Sequence, residues 1–544
     1  MKANLPPRRL IPRWRRTKAV LDMPEATFTT SKATHRLELD PLTLDHAIQK
    51  WKSAPTTGRL GDILSYSIDP ALRSIIVDLV RNDRACRDAA TVSQAHFLQQ
   101  LTADDDADSS SLNLDDLRRT LGLCNPAIKQ EVSTLRRILN ANPANPLALL
   151  DLAQFQLTSG HTKQAKRSVL TALSLSPNNR TALRTMARLL VHEREFEKAH
   201  SLIRMHARTG SDPWLMATEI ALAEVAETPS KFAKIGFKFA RDKMANNAHL
   251  SELAGALGGA DLQAGNVKRA RDMFRLALLA PNDNVVAQAV THQPLLGLDL
   301  SAPTQQLAVM SAHEARTLLA WEQLDSDNAE LHALVWHAEE PFSSRPLQFL
   351  TTIYAARRDY SSSAILARRG LVSDPRDAAL LSNLAYVSAC DGKTDEAEKL
   401  LVQLMALKDP QYTGVLLATA GLIVMQQGSW TEADKFYETA MRTFRERREF
   451  VREALCCAYF ARSASDTDHP NRSSILARAE AMYKQHPSPD AAIVLKLLNP
   501  DIQPKEHFEG PRRLSQWVFD FKNESLIQVH GITDPGAPAL IFKN

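Results

Sequence analysis

The stretch Leu147–Pro177, LALLDLAQFQLTSGHTKQAKRSVLTALSLSP, decides the fold of this chain. It reads as two amphipathic helices joined by a turn at Gly160, because apolar residues recur at helical spacing on both sides of that glycine. The environment of Ala165 recurs around Ala199, 34 residues later. This period is typical of helical hairpins that stack side by side, so the sequence predicts a solenoid.

The overall composition agrees with packed helices. The chain has 544 residues, which exceeds one ordinary domain, and it contains 44% apolar residues but only 19 glycines. The net charge of +4 gives no global field strong enough to imply nucleic acid or a membrane. Five cysteines without a CxxC pair, and no apolar run of membrane-spanning length, predict a cytoplasmic protein without disulfides or membrane insertion.

The repeat pattern divides the chain into segments with different predicted roles. Hairpins can be aligned in two arrays, and the stretch between them stays helical but loses the repeat landmarks. The predicted segments are a basic Pro/Arg-rich arm (1–34), an N-terminal helical module (35–103), an acidic linker (104–113), a first array (114–283), a degenerate helical stretch (284–345), a second array with a capping helix (346–499) and a β-prone tail (500–544).

At these residues the chain resembles the tetratricopeptide repeat (TPR) family, over roughly 145–285 and 345–485. Small residues let two helices cross closely, and proline stops the second helix. The resemblance implies an all-α, right-handed superhelix whose concave groove binds peptides or partner proteins. The family's five hairpin landmarks are matched by Ala153, Ala165, Val169, Ala172 and Pro177.

The repeat register places candidate partner-binding side chains in that groove, namely Arg184, Arg188, Asn383 and Tyr386. Family members that grip a chaperone's acidic C-terminus carry lysines and asparagines on successive first helices. Here the clamp-like residues lie far apart, so we do not extend the chaperone activity to this chain. Arg184 and Arg188, four apart on one helix face, are candidates to bind a carboxylate or phosphate; the alternative is a solvated face.

Two basic stretches are candidate contacts for phosphate or for an acidic partner, because the planar guanidinium group of arginine can form paired hydrogen bonds with phosphate and with carboxylate. In each case the alternative is a solvated surface: a partly disordered terminus for the arm, and an outward helix face for the stripe. The arm residues are Arg8, Arg9, Arg13, Trp14, Arg15 and Arg16, and the stripe residues are Lys231, Lys234, Lys238 and Arg241.

The motifs that would carry catalysis are incomplete. Gly392-Lys393-Thr394 resembles the end of a phosphate-binding loop, but Val387 stands where that loop needs a glycine. His313-Glu314 lacks the second histidine of a zinc protease, because Thr317 stands there. Nearby His332 and His337 are interpreted as ordinary surface and interface histidines. We therefore predict no metal, no cofactor and no enzymatic activity.

The sequence favours a non-catalytic scaffold or regulatory subunit that binds partner proteins through its superhelical groove and its terminal arms. The alternative is a nucleic-acid-associated subunit of a multiprotein complex that uses the basic N-terminal arm. A third, weaker hypothesis places an unrecognised enzyme in residues 35–120 or in the degenerate stretch.

Overall fold

The chain folds as an all-α solenoid of helical hairpins in two arrays, which confirms the predicted fold class. Within the described residues, no helix is both long and apolar enough to cross a membrane. The computed structural model describes residues 9–15, 28–30, 37–39, 44–53, single positions and short pieces between 55 and 86, 124–141, 143–242, 245, 247–297, 309, 312–500, 515–520 and 525–530.

Short strands and separate helices precede the repeats. Strands β1 and β2 pair antiparallel, with Phe28 opposite Leu39. The predicted irregular arm (1–34) therefore contains a strand, because this Phe-Thr-Thr run is β-prone. The predicted acidic linker lies outside the described residues. The elements are β1 (Phe28–Thr30), β2 (Leu37–Leu39), α1 (Leu44–Ser53) and α2 (Cys124–Ala141).

In the first array, each hairpin pairs a first helix, on the inner side of the superhelix, with a second helix on the outer side. A short 3₁₀ turn, Ala207–Gly210, follows the second hairpin. The hairpins are α3 (Pro146–Thr158) with α4 (Thr162–Leu175), α5 (Arg180–His192) with α6 (Phe196–Met205), α7 (Pro213–Val225) with α8 (Ala233–Arg241), and α9 (Asn247–Gln263) with α10 (Val267–Ala277).

The stretch predicted as degenerate is a packed continuation of the stack. It contains α11 (Asp283–Leu296), α12 (His313–Glu322) and α13 (Ser326–Glu339), and α12 and α13 form a hairpin. Helix α12 begins at His313, and Val309 and Ala312 before it have non-helical backbone. We call α11 to α13, together with Glu340, the middle segment.

The second array repeats the hairpin pattern and ends in a capping helix that packs on the last first helix. Its hairpins are α14 (Ser344–Ala356) with α15 (Tyr360–Ser373), α16 (Ala378–Cys390) with α17 (Thr394–Ala406), α18 (Thr413–Gln426) with α19 (Trp430–Glu446), and α20 (Phe450–Asp466) with α21 (Arg472–Gln485), and α22 (Pro489–Lys496) is the cap.

The β-prone tail forms an antiparallel hairpin, as its alternating apolar residues predict. Strand β3 (Ser515–Asp520) pairs with β4 (Ser525–His530), and Phe519 lies opposite Leu526 in the register.

Local sequence signals set the helix boundaries. Asn145 and Asn179 cap α3 and α5, because each side-chain oxygen accepts a hydrogen bond from the backbone N–H three residues later, at 3.1 Å. Gly160 turns the chain between α3 and α4 with φ of 76°, a left-handed conformation that favours glycine. Gly428 does the same between α18 and α19 with φ of 83°. These turns bring each second helix back against its first helix.

Glycine permits close helix crossing between α9 and α10. A Cβ added at Gly258 would lie 2.8 Å from Phe274 Cδ2 and 3.3 Å from the Ala270 carbonyl oxygen. Overpacking typically costs about 1–3 kcal/mol, whereas alanine gains about 1 kcal/mol over glycine inside a helix. We expect Gly258→Ala to lower the free energy of unfolding in urea by about 1 kcal/mol. A more stable variant would contradict the close crossing.

The first array curves until its first hairpins meet the start of the second array. We call this contact the seam; it joins α3 to α6 with residues 342–376. His192 Nε2 lies 3.0 Å from the Ser373 carbonyl oxygen, and Arg194 donates to the Arg376 carbonyl at 2.9 Å. Phe342 is fully buried in one cluster with Leu150 of α3. The first array, the middle segment and the seam therefore form a closed ring.

Candidate functional site

Residues 9–15 of the basic arm lie inside this ring, along the surface lined by first helices and the middle segment. We call residues 9–15 the arm, and its binding surface the arm groove. The groove is formed by Gln154, Glu224, Gly255, Asp283, Asn284, Glu314, Glu339 and Glu340.

Arg13 is the electrostatic centre of the arm groove. Its guanidinium forms ion pairs with Asp283 and Glu314, and a third with Glu340 at 3.1 Å. The Arg13 side chain is 9% exposed. Burial alone would lower the pKa of Arg13, but the surrounding carboxylates outweigh burial and raise it. The arginine is therefore a buried, permanent cation that joins α11, α12 and the end of α13.

The apolar arm residues fill the space between the helices. Leu10 is 1% exposed and Trp14 is 2% exposed. Leu10 packs against Gly255 of α9, where a Cβ would come within 3.3 Å of the leucine Cδ1. The Trp14 ring lies 5.0 Å from the ring of Phe342, between that residue and α3. This degree of burial matches the interior of a domain.

Side-chain amides of the groove bind the backbone of the arm. Gln154 Nε2 donates to the carbonyl oxygen of Trp14 at 2.6 Å, and Asn284 Nδ2 donates to the carbonyl oxygen of Ile11 at 3.1 Å. Hydrogen bonds from helix side chains to backbone carbonyls hold a segment in an extended conformation, and they do not depend on the identity of its side chains. The arm is thus bound as an extended peptide would be.

Two further arginines pair with acids whose pKa is raised. Arg9 Nε lies 3.2 Å from Glu224 Oε2, and Arg15 lies 3.1 Å from Glu339 Oε2. Burial raises the pKa of both Glu224 and Glu339 to about 7, although the neighbouring arginines act in the opposite direction. The arm groove is therefore acidic and largely shielded from water.

The arrangement corrects one interpretation of the sequence. Residues 9–15 do not form a solvated terminus, because the groove carboxylates attract the arginines and the helices bury Leu10 and Trp14. Arg8 and Arg16 lie outside the described residues. Binding of phosphate or of a separate acidic partner by the arm stays a prediction.

The arginines predicted to face the groove, Arg184 and Arg188, are held by the chain's own residues. Arg184 forms an ion pair with Glu252, and its guanidinium lies 4.9 Å from the Trp214 ring centroid. The guanidinium of Arg188 lies 5.0 Å from the ring centroid of Phe342. Both arginines are half-buried and form part of the wall of the closed ring of hairpins.

The other two predicted groove residues, Asn383 and Tyr386, line a cavity of about 90 Å³ on the inner surface of the second array. We call this cavity the second groove. Asn383 Nδ2 donates to Thr351 Oγ1 at 2.8 Å, and the Tyr386 ring lies 5.1 Å from that of Tyr459. The remaining lining residues are Thr352, Ala355, Ser382, Val415, Ala418, Thr419, Tyr437, Phe444, Arg452, Leu455, Cys456 and Tyr459.

The second groove has a different chemistry from the arm groove. Burial raises the pKa of Tyr386 and of Tyr459, and it also raises the pKa of the Cys456 thiol. These groups are therefore neutral near pH 7. Apart from Arg452, which pairs with Glu449 at 2.7 Å, the lining consists of uncharged apolar, aromatic and small polar side chains.

Comparison with known proteins gives matches only among solved structures. No family model matches the sequence, and no curated protein sequence matches it. The paired helices described above confirm the predicted helical-hairpin repeats. Similar structures include the APC/C hetero-tetramer Cut9-Hcn1 (14% identity, 72% of this chain, 85% of that chain, TM-score 0.28), the P58(IPK) TPR domain (13%, 69%, 99%, 0.21) and yeast Tom70 (12%, 84%, 97%, 0.30).

The basic stripe Lys231, Lys234, Lys238 and Arg241 is exposed on and next to the second helix α8. Arg241 pairs with its neighbour Asp242 at 2.8 Å, and the Lys231 ammonium lies 5.2 Å from the Phe232 ring. The stripe is on the outer side of the solenoid, away from both grooves. Its binding of phosphate stays a prediction.

Of the histidines noted near the degenerate stretch, His313 and His332 pack against each other beside the arm groove, whereas His337 is buried and is not a surface histidine. His313 Nδ1 lies 3.3 Å from His332 Nδ1. Burial lowers the pKa of His313 to about 3 and that of His332 to about 4, and the neighbouring cation Arg316 acts in the same direction. The adjacent acids Glu314 and Glu340 bind Arg13.

Sequence reasoning missed the acids that bind the arm. Glu314 and Glu340 lie where the repeat landmarks are lost, and Asp283 is the last residue of the predicted first array, so no register assigned them to the inner surface. One signal was present in the arm itself. Arginines occupy positions 9, 13 and 15 and apolar residues occupy positions 10, 12 and 14, and such an alternation fits an extended segment with one buried face.

Proposed function

We propose that this protein is a non-catalytic scaffold that binds a partner protein in the second groove. The observation that carries the proposal is the arm groove, where the inner surface of the solenoid already holds an extended segment. The second groove is built from the same type of hairpin, on the first helices α14, α16, α18 and α20, with Tyr437 and Phe444 contributed by α19. A cytoplasmic location and a place in a larger complex belong to the same proposal.

The chemistry of the second groove favours an uncharged partner segment with an aromatic or branched apolar side chain. Tyr386, Tyr459 and Leu455 offer apolar contact area, and aromatic side chains often dominate binding energy at protein interfaces. Ser382 and Thr419 provide small polar groups beside them. A highly charged segment would lose its hydration there without gaining an opposite charge.

The decisive variant is Ala418→Arg, which places a long cation in the second groove. Tagged full-length protein would be used to recover partners from extracts of cells that naturally make it. We expect Ala418→Arg to lose a specific partner that the unchanged protein retains, by at least tenfold. The matched control is Val402→Arg on the outer helix α17, where Val402 is 66% exposed. Equal recovery by both variants, with unchanged melting temperatures, would refute the proposed groove.

The nucleic-acid-associated alternative has less support. Its main candidates, Arg9, Arg13 and Arg15, are paired with carboxylates of the arm groove. The exposed α8 stripe remains as a candidate surface. Because phosphate binding releases counterions, replacing its four cations with alanine would reduce the salt dependence of any nucleic-acid affinity.

A further inference from the structure

We propose that the arm groove is an exchangeable binding site for an extended protein segment in which arginines flank an aromatic residue. The arm occupies this site as an internal ligand, and a partner segment of the same chemistry replaces it. This site is separate from the second groove, so the proposal does not depend on the function proposed above.

The first argument is the alternation of the arm's contacts. Arg9, Arg13 and Arg15 meet carboxylates, whereas Leu10 and Trp14 are buried among apolar side chains. An extended chain directs successive side chains to opposite sides. The arm groove therefore recognises one sequence pattern. In this pattern an apolar residue stands three positions before an arginine, and the arginine is followed by an aromatic residue and then by a second arginine.

The second argument is that the arm is held in the way a separate ligand would be held. The contacts with Glu314 and Glu340 join residues 301 and 327 positions apart in the chain. Gln154 and Asn284 bind carbonyl groups that any extended peptide possesses. Attachment within the same chain gives such a ligand an effective concentration on the order of a millimolar at its site. A partner segment must displace the arm at this effective concentration, and a tightly binding peptide can do so.

The third argument is that the arm and the seam share contacts, and that one ion pair at the edge of the seam is exposed and long. Arg194, which is 46% exposed, reaches Asp374 only at 3.4 Å. Exposed ion pairs of this kind contribute little stability. The arm itself spans the seam, because Trp14 accepts a hydrogen bond from Gln154 on α3 while its ring lies 5.0 Å from that of Phe342 on the other side. Opening the seam and releasing the arm are therefore coupled.

The test uses the full chain with a protease site inserted between residues 17 and 28, cleaved after purification. The probe is a fluorescent synthetic peptide of residues 8–17, RRLIPRWRRT. We expect the labelled peptide to exchange into the cleaved protein with one-to-one stoichiometry, measured by fluorescence anisotropy. An Arg13→Ala peptide should bind at least 100-fold more weakly, since it leaves the acid cluster without its central cation.

A Trp14→Phe peptide is the matched control. Among the described residues, the buried Trp14 Nε1 has no hydrogen-bond partner, so phenylalanine keeps the apolar contact and should bind within about tenfold of the unchanged peptide. Equal affinity of the Arg13→Ala and unchanged peptides would overturn the proposal. So would a folded, cleaved protein that takes up no peptide.

A second measurement covers the case in which the cleaved protein unfolds as its arm leaves. Intact Arg13→Ala protein, whose own arm is weakened, should bind the unchanged peptide and gain melting temperature with peptide concentration. No gain would overturn the proposal. If the intact, unmodified protein instead forms dimers that the peptide dissociates, the site takes the arm of a second copy, and the assignment to a separate partner is overturned.

Discussion

Arg13→Ala is expected to lower the free energy of unfolding by about 3–5 kcal/mol, the range for removing one partner of a buried ion pair. The substitution leaves the carboxylates of Asp283, Glu314 and Glu340 in a shielded site without the cation that neutralises them. Arg345 still contacts Glu314 at 2.6 Å and Arg15 still contacts Asp283 at 2.7 Å, so these two acids each keep one cation. The measurement is urea denaturation of the full chain at pH 7.5, followed by circular dichroism.

Two variants separate this effect from the general loss of an arginine. Arg13→Lys keeps the charge but loses the planar fork that reaches several carboxylates, so its stability should lie between those of the unchanged protein and Arg13→Ala. Arg241→Ala removes an arginine that is 74% exposed and should change the free energy of unfolding by less than about 0.5 kcal/mol. If Arg13→Ala lowers the free energy of unfolding by less than about 1 kcal/mol, the stability of the closed ring of hairpins does not depend on the arm.

The hairpin fold could be predicted because its determinants are local. Ala165, Val169 and Ala172 are fully buried on α4, as their spacing predicted. Gly160 permits the turn between the helices, and its φ of 76° shows the conformation that the sequence signal implied. Such features recur in many of the repeats, so the period can be recognised even where individual landmarks are absent.

The arm groove could not be predicted in the same way, because its residues are distant in the chain and have no common period. Arg13 pairs with Glu314 and Glu340 across about 300 residues. Each acid looks like a solvated helix residue when it is considered alone. The curvature that closes the ring depends on the packing of many hairpins, and small changes in each crossing angle decide which side chains finally meet.

The candidate second groove could be predicted in part. The repeat register placed Asn383 and Tyr386 on the inner surface, and the structure puts both on the cavity lining. Its depth depends on contacts between repeats, such as the edge-to-face packing of Tyr386 and Tyr459, which are 73 residues apart. A pattern within one repeat does not contain this information.

Acidification from pH 6.5 to 4.5 is expected to destabilise the protein by about 2–3 kcal/mol per pH unit. Burial lowers the pKa of His249 and His332 to about 4, and that of His313 and His337 to about 3, from an ordinary value of 6.5. As the pH falls below 6.5, the unfolded chain binds protons at these positions while the folded chain does not. Stability is therefore present above pH 6.5 and is lost as the pH falls towards 4.

Glu224 and Glu339 act in the opposite direction. Burial raises the pKa of both to about 7, so between pH 7 and 4.5 the folded chain binds protons that the unfolded chain does not. They stabilise the fold as the pH falls and offset roughly half of the histidine effect. The net difference is about two protons, which gives the slope stated above.

The histidine pair provides a direct test of this balance. The double variant His313→Asn with His332→Asn removes two of the groups that resist protonation, so its loss of stability per pH unit from 6.5 to 4.5 should be about half that of the unchanged protein or less. The matched control is His161→Asn, an exposed residue at the start of α4, which should keep the original slope. Urea denaturation at intervals of half a pH unit measures both. If the double variant keeps the full slope, the acid sensitivity arises from groups other than the buried pair beside the arm groove.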